Sequence, residues 1–115
     1  LQGTSCSYQN LSDYRLKENV NYNWVATDLL KQLKPAKFNF KTDKDTTLNG
    51  FLAHEVASVV PEAVSGDKDA LDEKGNPEYQ FLDNSKLIPL LTKAIQEQQE
   101  QIDVLQSEIN TLKGE

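Results

Sequence analysis

Methionine is absent from the 115 residues, and cysteine and histidine occur once each, as Cys6 and His54. A lone cysteine closes no intrachain disulfide, and this pair offers no metal-ligand spacing, so neither a metal nor any other cofactor is expected. Cys6 reads as a small residue in an irregular N-terminal segment. The missing methionine, at position 1 included, gives the expectation that the chain was excised from a longer one. Basic residues are also scarce: 12 Lys and Arg against 18 Asp and Glu leave a net charge of −6. That balance lacks the footprint for phosphates and excludes nucleic acid as a partner, the short basic runs near Arg15 and Lys37 notwithstanding. No window approaches about 18 consecutive apolar residues, and the N-terminus has no charged-then-apolar leader, so the chain is expected to be soluble with no membrane partner. The apolar fraction is only 37% and the mean hydropathy −0.62. Part of the apolar surface is therefore expected to be buried between chains, in an oligomer.

At this length the chain holds one domain or a fragment of one. Residues 1–11, LQGTSCSYQNL, are rich in Ser, Gln, Gly and Asn and read as a linker or the tail of a preceding domain. Asn23 is placed to cap a helix from Trp24 to Lys34, with Val25, Leu29, Leu30 and Leu33 on one side and Pro35 ending it. Phe38 and Phe40 alternate in a strand over 37–40, KTDKDTT turns, and 48–52 returns as a second strand. Val56, Val59 and Val60 fall at helical spacing before Pro61. Residues 65–77 carry Gly66, Gly75 and Pro77 in a polar stretch that reads as an exposed loop or a hairpin excursion, and 78–82 reads as a further short strand without an evident partner.

The strongest periodic signal is C-terminal. Placing Ile88, Ile95, Ile102 and Ile109 at heptad position a puts Leu91, Gln98, Leu105 and Leu112 at d, an unbroken 3-4 alternation that reads as a coiled-coil seam. Asn84 or Ser85 can cap this helix, and Pro89 is tolerated because it falls in the first turn. From 84 to 112 the helix would span about 43 Å. Ile at a with Leu at d leans toward two parallel strands, whereas a single polar d residue, Gln98, fixes register in several oligomer states. The alternative is one amphipathic helix folded onto its own domain. The fold class is thus α+β, a small body of short helices and strands followed by a parallel coiled coil.

Ahead of the first apolar segment stands Ser12-Asp13-Tyr14-Arg15-Leu16-Lys17-Glu18-Asn19. It holds a hydroxyl nucleophile and an amine that could serve as its base. Five residues correspond to about 140° around a helix and to opposite faces of a strand, so neither regular element unites them. A tight turn, or a second copy of the chain, must do so. A serine needs its base within about 2.6 to 3.2 Å, and a lysine serves only if desolvation or a nearby cation brings its pKa from about 10.4 toward 7 to 8. Arg15 is a candidate cation. On the octapeptide alone, Ser12 as a turn or cap residue and Lys17 as a solvated cation are an equally available reading.

Three motifs occur in order: Ser12-Asp13-x-Arg15-Leu16-Lys17-Glu18-Asn19-Val20; Gly50-Phe51-Leu52-Ala53-His54-Glu55-Val56 with Pro61; and Leu82-Asp83-x-Ser85-x-Leu87-Ile88-Pro89-Leu90-Leu91 running into the seam. Together they resemble the C-terminal intramolecular chaperone domain of phage tailspikes, tail fibres and neck appendages, which endosialidase tailspikes and myelin regulatory factor proteins share. The resemblance covers Ser12 to about Leu112. It implies a homotrimer in which the coiled coil is three-stranded, covalently linked to an upstream fibre or spike whose folding it assists. It also implies a self-cleaving serine endopeptidase acting once, in cis, with Ser12 as nucleophile, Lys17 as base and Leu11-Ser12 as the scissile bond. On this reading residues 1–11 end the upstream fibre, 12–83 form the chaperone and processing body, and 84–115 the trimerisation helix. The setting implied is a virion tail fibre or spike precursor in the host cytoplasm, where Cys6 stays reduced.

Two departures accompany the resemblance. His54 stands where the family more often has Gln, which suggests a packing or hydrogen-bonding position over an alternative base. Its neighbour Glu55 is a supporting candidate that could pair with Arg15 or Lys17. The chain also retains residues 1–11 ahead of the serine. A permanent, non-cleaving trimerisation cap of a fibre is the rival function; a Ser-Lys hydrolase acting on other proteins is disfavoured because no stretch reads as a substrate cleft.

Overall fold

The computed structural model describes residues 11–114, so Cys6 and most of the N-terminal segment lie outside the described residues. From Leu11 to Val25 the chain is an exposed arm, interrupted by one 3-10 turn at Tyr14–Leu16. Helix α1, Thr27–Leu30, is four residues long, shorter than the 24–34 expected from apolar spacing. Asn23 does not cap it. The amide of Asn23 instead donates to Asn21 Oδ1 at 2.8 Å, and the first amides of α1 are satisfied by a distant carboxylate, Glu97. At its other end Gln32 and Leu33 donate to Leu29 and Leu30 three residues back. That tightening precedes Pro35, which disfavours α geometry at Lys34.

Strands β1, Ala36–Phe38, and β2, Leu48–Gly50, pair antiparallel with Lys37 opposite Asn49. Both are shorter than the alternation suggested. Phe40 leaves the ladder to stand edge-on to Phe38, 5.2 Å between ring centroids. Helix α2, Ala53–Ala57, follows, then a 3-10 turn at Pro61–Ala63 and strand β3, Val64–Ser65. The partner missing from the sequence reading is found here: β4, Phe81–Leu82, pairs with β3, Val64 opposite Leu82. The intervening polar loop is held by Asp72, whose Oδ1 accepts from the amides of Lys74 and Asn76.

Helix α3, Ile88–Leu112, has Pro89 in its first turn, where the missing N–H costs nothing. A 3-10 turn at Asn84–Leu87 leads into it, and the residue that caps this turn is Asp83, not Asn84 or Ser85. Asp83 Oδ1 accepts from the amide and the hydroxyl of Ser85 at 3.1 and 2.6 Å. These hydrogen bonds, the hydroxyl's above all, hold the Asp83 carboxyl below its ordinary range.

The core comprises Ala26, Val56, Val59, Val60, Ala63, Leu87, Leu90 and Ala94. Leu87, at the end of the 3-10 turn, and Leu90 and Ala94 on α3 form the stripe that meets the body. It runs beside the heptad seam, not along it. The seam residues Ile88, Leu91, Ile95, Gln98, Ile102, Leu105, Ile109 and Leu112 are all exposed, and from Gln98 to Gly114 every residue is. The helix therefore docks by its first turns and projects beyond the body as a rod with an uncovered apolar face, in a molecule 71 Å long. No helix among the described residues is long and apolar enough to cross a membrane.

Candidate active site

The difficulty posed by the five-residue spacing is resolved within one chain by the 3-10 turn. Asp13, extended at its N-cap, accepts from the amide of Arg15 at 2.9 Å, and its carbonyl accepts from Leu16 at 3.0 Å. Lys17 closes the turn by donating its amide to Tyr14 O at 3.1 Å, then leaves it in an extended conformation. Three residues wound at 3-10 pitch between two extended ones bring Lys17 back beside Ser12. Lys17 Nζ lies 2.6 Å from Ser12 Oγ. Asn19 follows at φ 55°, a left-handed position that asparagine tolerates better than most residues.

Arg15 turns the other way. Its Nε and a terminal guanidinium nitrogen donate to the two oxygens of Asp13 at 3.0 and 2.9 Å, a two-pronged ion pair. The Arg15 side chain beside it, followed by the Arg15 amide, holds the Asp13 carboxyl below its usual range. The charge of Arg15, the candidate cation, is thus matched by Asp13. The expected pairing of Glu55 with Arg15 or Lys17 is also not what the fold makes. Glu55 sits on α2, and its carboxylate lies 3.7 Å from Lys34 Nζ.

Leu11, Ser12 and Lys17 line an open groove of about 940 Å³. Its apolar walls come from Trp24, Leu29, Val59, Val60 and the start of α3 at Ile88, Pro89 and Leu90; Glu62, Ser85 and Lys86 supply polar side chains. No stretch of sequence announced this groove, because its walls come from four separate segments. Ile88, the first a position of the seam, is one of them. Lys86 is the cationic side chain that shares the groove with Lys17. His54 is elsewhere, lining a separate cavity of about 300 Å³ with Asp67, Tyr79 and Gln80.

Chemically, the arrangement offers a hydroxyl in contact with an amine and beside the Leu11-Ser12 peptide. With the amine protonated, Lys17 donates to Ser12 Oγ; with it neutral, the hydroxyl donates to Nζ, the direction that general-base chemistry needs. Among the described residues no group of His, Cys, Asp and Glu could hold a metal.

The residues that sequence reasoning passed over are Glu97 and Lys93 on α3. Glu97 accepts from the amides of Ala26 and Thr27 at 2.8 and 2.9 Å and from the Thr27 hydroxyl. Lys93 donates to Tyr22 O at 2.9 Å. A signal existed: the stripe Leu87, Leu90, Ala94 continues by helical spacing onto Glu97, a carboxylate where the next apolar residue would fall.

No curated protein matches the chain. Residues 12–65, which carry the Ser12–Lys17 contact and the Gly50–Val56 motif, match the family model described as the chaperone of endosialidase. Over this segment, a little under half of its length, the chain is similar to the chaperone of endosialidase family.

Proposed function

We propose that the chain is an intramolecular chaperone that assembles as a homotrimer, assists the folding of a covalently linked upstream fibre or spike, and releases itself by cutting the Leu11-Ser12 bond. The observation that carries this reading is the 2.6 Å contact of Ser12 Oγ with Lys17 Nζ inside the family-matched segment. Ser12 Oγ attacks the carbonyl carbon of Leu11 while neutral Lys17 takes the hydroxyl proton. The C–N bond breaks, Lys17 returns a proton to the leaving amine of Ser12, and an ester links Leu11 to Ser12 Oγ. Water hydrolyses that ester, leaving Leu11 with a carboxylate and Ser12 as a new N-terminus. Both reactants are in one chain, so positioning can contribute up to roughly 7 to 11 kcal/mol of barrier reduction.

Assembly supplies what the single chain lacks. Ser12 and Lys17 are exposed, and water stabilises a charged amine. Ile88 belongs both to the seam and to the groove, so a neighbour seated on the seam covers the groove's mouth. Lys86 is the neighbouring cation in the same groove. Arg15 supports the site by fixing the turn through Asp13. The product is a trimeric domain beginning at Ser12, parted from a fibre ending at Leu11 in a virion tail fibre or spike precursor.

The test is the intact mass of the chain expressed behind its upstream domain. A fragment beginning at Ser12 is expected from the wild type and only full-length chain from Ser12→Ala and Lys17→Ala. Unchanged processing in either variant removes the dyad, and an uncut wild-type trimer makes the domain a permanent cap.

A further inference from the structure

The arm that carries Ser12 and Lys17 is exposed almost throughout, and side chains of α3 hold it at a few points. Glu97 satisfies two backbone amides at the start of α1, those of Ala26 and Thr27, across about 70 residues of sequence, and takes the Thr27 hydroxyl as well. One turn earlier on α3, Lys93 donates to Tyr22 O and places its ammonium 5.9 Å from the centroid of the Trp24 ring. Trp24 stands between two cavities. One is the groove of Ser12 and Lys17; the other, about 890 Å³, is lined by Lys93 and Glu97 themselves. Between Lys93 and Glu97 lies Ile95, and after Glu97 comes Gln98, both seam positions.

We propose that Glu97 and Lys93 are positioning residues for the cleavage, a clamp that fixes residues 22–27 on α3 so that Trp24 walls the groove and the Ser12–Lys17 turn is held in register with it. This rests on the autoproteolysis reading above. Neither residue touches the reacting atoms. Each acts through the arm, and because both are on the turns of α3 that carry the seam, the clamp ties the groove to the state of the coiled coil. An amide left unpartnered at Ala26, which is fully buried, would pull that segment away from the helix.

The experiment compares single-turnover cleavage, trimer mass by sedimentation, and residue-resolved amide exchange in the full chain with its upstream domain. Displacement of a reacting group by about 1 Å can cost roughly 100-fold, so Glu97→Ala is expected to slow cleavage by roughly 10- to 100-fold at unchanged trimer mass. The amides of Leu16 and Lys17, whose partners are Asp13 O and Tyr14 O, should exchange faster. Glu97→Gln keeps one accepting oxygen and should recover much of the rate, a graded response that loss of global stability would not give. Lys93→Met retains the stem without the charge and serves if Glu97→Ala fails to fold. Wild-type cleavage in the variants, or wild-type exchange at Leu16 and Lys17, overturns the clamp. If the unaltered chain is itself uncut, the dyad reading fails, and exchange at Leu16 and Lys17 still decides whether the clamp orders the arm.

Discussion

Leu90 and Leu91 are neighbours on α3 with opposite surroundings: Leu90 is 5% exposed, against the body, and Leu91 is 40% exposed, on the seam. One helix thus carries two apolar stripes a residue apart, one covered by the body and one uncovered. Leu90→Ala is expected to cost the body about 2 to 5 kcal/mol, the range for truncating a buried leucine, read as a lower midpoint in urea. Ile95→Asp, on the seam, should leave the fold of each body intact while abolishing trimers, seen by sedimentation with an unchanged near-ultraviolet spectrum. On the proposal that assembly closes the groove, that variant should also remain uncut. A monomer that cut at the normal rate would refute the dependence on assembly.

Asp13 organises the turn without facing the groove. Its carboxylate holds both the amide and the guanidinium of Arg15. Replacing it with alanine removes the cap and the ion pair together, and the turn that places Lys17 beside Ser12 is then held only by its backbone hydrogen bonds. Cleavage of Asp13→Ala should fall roughly 10- to 100-fold, as expected for a shift of about 1 Å between reacting groups. Asp13→Asn, which can still accept from the Arg15 amide, should lose less. Equal rates in all three would show that the turn does not depend on this side chain.

Much of the fold was legible. The long C-terminal helix, Pro89 in its first turn, the polar loop and the hairpin of β1 and β2 all follow from local chemistry that each segment carries by itself. The helix expected from Trp24 to Lys34 is short because its start is capped by Glu97, seventy residues on, and its end is pulled into 3-10 turns ahead of Pro35. The strand near Tyr79 had no visible partner for the same reason: Val64 and Leu82 are brought together by the tertiary fold. At the site, Ser12 and Lys17 could be named from the sequence because they lie in one short motif. The groove, the neutralised Arg15 and the pairing of Glu55 with Lys34 could not, since each depends on where side chains point.

The Glu97 carboxyl is held below its ordinary value of 4.5 by the Thr27 hydroxyl, then by the Ala26 amide, with burial opposing. A carboxyl whose folded pKa is depressed contributes stability that is fully present above the unfolded value and lost as pH falls through the folded one. The docking of the arm on α3 should therefore weaken as the solution is acidified below about pH 4.5. Amide exchange at Ala26 and Thr27, measured from pH 6 to pH 3 and corrected for its intrinsic pH dependence, should rise in the wild type. In Glu97→Gln it should start higher and change less. An identical profile in the two chains would mean that the carboxylate does not bear on the docking.

Lys17→Arg separates contact from chemistry. Arginine remains protonated throughout the accessible range and presents donors only, so it can reach Ser12 Oγ and preserve a hydrogen bond while being unable to take the hydroxyl proton. The variant should fold, form trimers of normal mass and chaperone the upstream fibre, yet stay full length by intact mass. Lys17→Ala should be equally uncut but should show faster exchange around the turn, because the contact itself is gone. Cleavage of Lys17→Arg at the wild-type rate would mean that the amine orders Ser12 without acting as its base, and the proton acceptor would have to be sought elsewhere in the groove.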